Sequence, residues 1–155
     1  MVEIREKVGE MYFGQFEHSL DDKGRLMIPS KLREGLVAGS PLYIIRGLDG
    51  CLAVFNENGF QKFTDKIANR SFDDMNVRKY IRNVLPTVVQ LNVDKLGRIQ
   101  IPTATLNKFH ISNKVMVIGV GDHFEIWDLE AYLEYEKSIS EEFEVVADKL
   151  DKDGK

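Results

Sequence analysis

Ser19-Leu20-Asp21-Asp22-Lys23-Gly24-Arg25-Leu26-Met27-Ile28-Pro29-Ser30 returns, 73 residues further along, as Asn92-Val93-Asp94-Lys95-Leu96-Gly97-Arg98-Ile99-Gln100-Ile101-Pro102-Thr103. Asp, Gly, Arg, Ile and Pro coincide at five of the twelve positions, Ser is answered by Thr, and Leu by Val or Ile. The likeness continues outward from this stretch. Leu42-Tyr43-Ile44-Ile45 faces Val115-Met116-Val117-Ile118, and after a slip of one residue Leu52-Ala53-Val54-Phe55 faces Phe124-Glu125-Ile126-Trp127. Phe60 and Phe63 are then answered by Tyr132 and Tyr135. A long period that occurs twice is the mark of a duplicated module, since a solenoid needs many short repeats.

Each module reads as strand, turn, strand, short helix, strand, turn, strand, helix. The first strand ends near Leu20 or Val93, and Asp opens a tight turn in which Gly24 or Gly97 takes the position most in need of positive φ. Leu26 and Ile28 alternate with Arg25 and Met27, as Ile99 and Ile101 do with Arg98 and Gln100, so each following strand has one apolar and one outward face. Pro29 and Pro102 suit the first turn of a helix, where the missing N–H is not needed. These helices are expected over residues 30–36 and 103–109. Residues 56–85 read as helical with a break at 71–74, where Ser71 or Asp73 is expected to cap the second helix. A further helix is expected from Asp128 to about Leu150, followed by a disordered end at 151–155. The expected organisation is an N-terminal extension over 1–13, repeat 1 over 14–60, a helical linker over 61–85, repeat 2 over 86–131 and a C-terminal helix with an acidic tail over 132–155. Together these make an α+β protein of two tandem β modules forming one pseudo-two-fold body with flanking helices.

Composition narrows the function classes. The chain has 155 residues and a formal net charge of −4, unevenly spread. Residues 128–155 carry ten acidic and four basic side chains, net −6, which leaves +2 for residues 1–127. Gln61 to Leu85 holds six basic residues against three acidic ones, so a locally basic surface is available despite the overall sign. No run approaches the roughly 18 apolar residues of a membrane span, and the charged start is unlike a signal peptide, so a cytoplasmic protein is expected. The single cysteine, Cys51, reads as a small core residue. His18, His110 and His123 share no metal-ligand spacing, and no nucleophile elbow or phosphate loop is present; no catalytic residue, metal or cofactor is expected.

What remains is the doubled Asp-x-x-x-Arg, Asp21 with Arg25 and Asp94 with Arg98. Around a tight turn the carboxylate can hold the guanidinium at a fixed angle. One copy alone is more simply a turn residue with its surface ion pair. Two copies favour function, because turn chemistry tolerates many residues at the Arg position. A presented guanidinium suits guanine O6 and N7 or a phosphate, and Lys23 and Lys95 add phosphate-seeking charge.

At these residues the sequence resembles the MraZ family, double-repeat relatives of AbrB-type regulators. The resemblance rests on Met11 to Gly14, on both Asp-to-Pro stretches, on the Arg46 to Leu52 turn and on Val117 to Val120, and it covers about Met11 to Phe143. It implies AbrB-like swapped-hairpin β modules, subunits assembled into a homo-oligomeric ring, and repression of the division and cell-wall gene cluster through tandem direct repeats in operator DNA. Carried over by position, the DNA-facing residues are Asp21, Lys23, Arg25, Asp94, Lys95 and Arg98, with the first loop, taken as the more basic, expected to contribute more. The implied location is the cytoplasm, associated with the nucleoid, with neither membrane nor small-molecule substrate as partner. An oligomeric, antitoxin-like protein-interaction module is the competing reading.

Overall fold

The computed structural model describes residues 11–154; residues 1–10 of the N-terminal extension expected over 1–13, and the last residue, Lys155, lie outside the described residues. In chain order the first half contains β1 (Gln15–Ser19), β2 (Arg25–Met27), a 3-10 turn (Ser30–Leu32), β3 (Pro41–Arg46), β4 (Leu52–Asn56), α1 (Glu57–Ala68) and α2 (Met75–Val84). After a second 3-10 turn (Leu85–Thr87) come β5 (Val89–Asn92), β6 (Arg98–Gln100), α3 (Thr103–Lys108), β7 (Lys114–Gly119), β8 (Phe124–Asp128), α4 (Leu129–Glu141) and α5 (Phe143–Asp153). No described helix is long and apolar enough to cross a membrane.

The duplication is expressed as an exchange of strands. A six-stranded antiparallel sheet runs β1-β7-β8-β4-β3-β5, an order that reads as the same repeat elements from either end. First-repeat β1 pairs with second-repeat β7, and second-repeat β5 with first-repeat β3, so each half lends its first strand to the other. The halves meet at β4 and β8, where Ala53 lies opposite Glu125. The second strands, β2 and β6, leave the sheet and pair with each other as a two-stranded ribbon.

Strand alternation makes three layers out of this topology. Leu42, Ile44, Leu52, Val54, Val115, Val117, Phe124 and Ile126 point to one face of the sheet, and there they meet Leu26, Ile28, Ile99 and Ile101 from the ribbon strands and the residues just after them. Those four aliphatic side chains are all but inaccessible, and each contributes about 1.5–3 kcal/mol of burial free energy. The other face carries the helices in two matching clusters. Phe55 packs tilted against Phe63 with centroids 5.3 Å apart, and its counterpart Trp127 stacks on Tyr135 at 4.8 Å. Cys51 is buried beside Trp127 and Tyr132, and burial pushes its thiol pKa well above the ordinary range, as suits a small core residue.

Several local expectations shift. The helix expected over 30–36 closes after one 3-10 turn, because the chain reverses at Gly35 with φ +84°. The second helix of the linker is capped by Asp74, the residue after the two expected candidates. Its carboxylate accepts from the Asn76 amide at 2.8 Å and the Val77 amide at 3.4 Å, while Ser71 only shapes the preceding bend through the Asp73 amide. The C-terminal helix breaks once at Glu142 and then continues through 151–153, so the disordered end expected there is helix instead. An ion pair of 3.1 Å between Lys152 and Asp148 supports this last turn from one helical turn away. Tyr12 is buried, and residues 12–14 are tied to the β7–β8 turn by exchanged backbone bonds between Tyr12 and Gly121 and a bond from the Gly119 amide to the Gly14 carbonyl.

Candidate nucleic-acid interface

Both Asp-x-x-x-Arg segments fold into the same turn. In the first, Asp21 Oδ1 accepts from the Lys23 amide at 3.0 Å and the Arg25 amide at 2.9 Å, and Oδ2 accepts from Arg25 Nε at 2.5 Å. In the second, Asp94 Oδ1 accepts from the Leu96 and Arg98 amides at 2.9 and 2.8 Å, and Oδ2 from Arg98 Nε at 2.8 Å. One carboxylate therefore does two jobs: it organises the turn with one oxygen and aims the guanidinium with the other. Engaging Nε leaves the two terminal nitrogens of each arginine for an outside acceptor. The Arg25 amide, first, and the Arg25 side chain hold the Asp21 carboxyl below the ordinary carboxylate range, and Arg98 does the same to Asp94.

Glycine is required at the turn's fourth residue for two reasons. Gly24 and Gly97 have φ of +78° and +84°, where a side chain is strained. They also sit at the crossing of the two repeats. The Gly24 carbonyl accepts from the Ile101 amide at 2.9 Å and the Gly97 carbonyl from the Ile28 amide at 3.0 Å. Each turn is thus completed by the other repeat's strand, and a Cβ on Gly24 would come within 2.6 Å of the Ile101 carbonyl oxygen.

The ribbon register brings the two turns into one surface. Arg25 lies opposite Gln100, and Met27 opposite Arg98. Residues directly opposite share a face, as do residues two apart on one strand, so Arg25, Met27, Arg98 and Gln100 form one outward panel with the arginines on its diagonal. Leu26 and Ile99 point the other way, into the core. Lys23 and Lys95 are exposed on the turns, but at different places: Lys23 occupies the position taken by Leu96, and Lys95 that taken by Asp22. Gln100 crosses the ribbon to donate from Nε2 to the Lys23 carbonyl at 3.1 Å.

Three residues join the site that the motif alone did not nominate. Met27 and Gln100 complete the outward panel; the alternation signalled their outward direction, and only the pairing register shows that they share a face with both arginines. Arg33 is the third. Its guanidinium lies against Gly97, the place that Leu106 occupies against Gly24 in the other half. Its Nε is shielded from solvent and has no hydrogen-bond partner among the described residues. By charge the second turn, not the first, is the more basic. Residues 21–25 sum to zero and residues 94–98 to +1, and Arg33 stands beside the second turn.

The panel carries two oriented guanidinium groups, and among the described residues no cluster of three or more His, Cys, Asp or Glu side chains is placed to hold a metal ion.

Fold and site together define the class: a single-chain, internally duplicated swapped-hairpin protein whose two Asp–Arg turns lie on one ribbon. The chain belongs to the MraZ family: the family described as "MraZ protein, putative antitoxin-like" matches it over residues 11–83 and again over 86–153. Relatives named "Transcriptional regulator MraZ" bear this out. The one from Mesoplasma florum is 35% identical over 140 residues, spanning 90% of this chain and 95% of the relative. Those from Caldanaerobacter subterraneus subsp. tengcongensis and Spiroplasma kunkelii are 38% and 39% identical, spanning 91% and 83% of this chain and 97% and 91% of theirs.

Proposed function

We propose that this protein is a sequence-specific DNA-binding transcriptional repressor, acting in the cytoplasm at the nucleoid as a ring-like homo-oligomer on tandem direct repeats upstream of the division and cell-wall gene cluster. As a member of a family of transcriptional regulators, it is a regulator and not an enzyme. The observation that carries the DNA reading is the diagonal pair of carboxylate-oriented arginines, Arg25 and Arg98, on the outward face of the β2–β6 ribbon. A two-stranded ribbon fits the major groove, about 12 Å wide, where a guanidinium fork reads guanine O6 and N7. Asp21 and Asp94 act as positioning residues for these forks. Lys23 and Lys95 supply phosphate contacts, and Met27 and Gln100 face the same groove, an apolar group suited to a thymine methyl and an amide suited to adenine. Because Met27 and Gln100 differ between pseudo-symmetric positions, one copy would read an asymmetric site, in keeping with direct rather than inverted repeats. Several copies in a ring then add modest individual affinities through effective concentration.

Fluorescence-anisotropy titration of the wild type and the Arg25→Ala/Arg98→Ala double variant against the chain's own upstream DNA and a scrambled duplex tests this reading. Selective binding with a log K versus log salt slope of about −0.9 per neutralised phosphate, and loss of selectivity in the variant, is the expected result. Absent selectivity, or an unaffected variant, would move the assignment to the protein-interaction module.

A further inference from the structure

The two Asp–Arg turns share one backbone and differ in what they carry. The Asp21 carboxylate accepts from the Lys23 amide at 3.0 Å and the Asp94 carboxylate from the Leu96 amide at 2.9 Å, so residues 23 and 96 are held at matching places. The turn itself accepts either a lysine or a leucine there. Core packing does not account for the leucine, since Leu96 is 60% exposed. A single surface leucine is ordinary. This one stands beside the panel that carries Arg25 and Arg98, and it has an apolar companion.

The antiparallel register sets the turns at opposite ends of the ribbon. Met27 lies opposite Arg98, and the Ile28 amide next to it donates to the Gly97 carbonyl at 3.0 Å, so Met27 belongs to the Leu96 end. Gln100 lies opposite Arg25 and donates to the Lys23 carbonyl at 3.1 Å, so it belongs to the Lys23 end. The internal duplication matches Lys23 with Leu96 and Met27 with Gln100. Both differences run the same way. They gather two exposed apolar side chains at one end, Leu96 and Met27, and an ammonium and an amide at the other. Each end keeps one carboxylate-oriented arginine, and Lys95 keeps a lysine at the apolar end in the place of Asp22. The ribbon is therefore symmetric in its guanidinium groups and directional in the side chains around them.

The apolar group that B-DNA displays on its base edges in the major groove is the thymine C5 methyl, whereas an amide suits adenine and an ammonium suits phosphate. We infer that the Leu96–Met27 end of the ribbon seats on thymine methyl groups beside the base that Arg98 takes, and that the Lys23–Gln100 end meets phosphate and adenine, so that each copy lies on its DNA repeat in one direction. This inference rests on the DNA reading proposed above and adds Leu96 to it as a specificity-determining residue.

Anisotropy titrations against the chain's own upstream duplex, made once with thymine and once with uracil in its place, test it, because the two bases differ only by the methyl group. The wild type is expected to bind the thymine duplex at least about fourfold more tightly, the effect of burying one methyl group. Leu96→Ala is expected to lose about that factor from the thymine-to-uracil ratio while keeping its salt slope and circular dichroism spectrum. Lys23→Ala is expected to keep the ratio and lose about 0.9 from the salt slope. Leu96→Lys, which gives the second turn the side chain of the first, is expected to lose the ratio and add about 0.9 to the slope. Any effect of uracil on duplex shape is common to all variants and cancels between them. Equal affinity of the wild type for the two duplexes, an undiminished ratio in Leu96→Ala, or an equal loss of ratio in Lys23→Ala overturns the inference. A wild type that does not distinguish its upstream DNA from a scrambled duplex removes the DNA reading itself.

Discussion

Replacing Arg33 by leucine exchanges the side chain over Gly97 for the type that already covers Gly24. In the first turn, Leu106 Cδ1 lies 3.4 Å from where a Gly24 Cβ would be, an ordinary van der Waals distance. In the second turn the same place holds the Arg33 guanidinium, with Nε buried and unpartnered among the described residues. An unsatisfied buried donor costs about 1–3 kcal/mol. Leucine keeps most of the apolar stem, so little packing is lost, and Arg33→Leu is expected to stabilise the fold by about 1 kcal/mol. For a chain of this size that corresponds to a rise of roughly 2–4 °C in Tm. Thermal unfolding followed by circular dichroism would measure it, at one protein concentration, because assembly makes the midpoint concentration-dependent. The same variant is expected to bind DNA more weakly, with a salt slope smaller by about 0.9 if Arg33 meets one phosphate. A loss of 1 kcal/mol or more in stability would refute the reasoning, since Arg33 would then be satisfied by a contact other than those described.

Gly24→Ala is expected to cost about 2 kcal/mol, from positive φ and the approach to the Ile101 carbonyl, and more than Gly39→Ala, where φ is +90° but nothing lies within 4 Å; urea midpoints compare the two. Asp74→Ala should lose about 1 kcal/mol of cap energy, with Ser71→Ala and Asp73→Ala close to neutral in the same measurement. His123 gives a pH dependence. Burial alone would lower its pKa, but hydrogen bonds and charge from Glu125 and Asp122 outweigh it and leave the ring above the ordinary histidine value. Protonation is thus favoured in the folded state, so the contribution is complete below about pH 6.5 and is lost as pH rises through the raised folded pKa. His123→Gln should flatten that part of a stability profile, and an unchanged slope would show that the His123–Asp122 contact of 2.6 Å contributes nothing.

The doubled motif made the pseudo-two-fold body legible before any coordinates. Asp21 with Gly24 and Arg25, and Asp94 with Gly97 and Arg98, specify their turns through contacts four residues apart or fewer, and local chemistry of that range is written in sequence. The inward direction of Leu26 and Ile99 was legible for the same reason, being a matter of strand alternation. Boundaries set by competition were not. Asp74 prevails over Ser71 and Asp73 because its carboxylate reaches two amides at once, and residues 151–153 remain helical in a stretch whose composition suggested a free end.

Sequence by itself determined the module, its duplication and the residues at each turn, because these depend on backbone preference, side-chain period and hydrogen bonds made within a few residues. Tertiary structure decided everything that required the repeats to meet. It set the exchange of β1 and β5, the register that gathers Arg25, Met27, Arg98 and Gln100 on one face, and the contact of Arg33 with Gly97 across 64 positions of chain. It also separated α2, which folds back on the sheet, from α5, which does not. The physical reason is that strand pairing and side-chain packing act between surfaces, and which surfaces adjoin is a property of the closed fold that no local preference encodes.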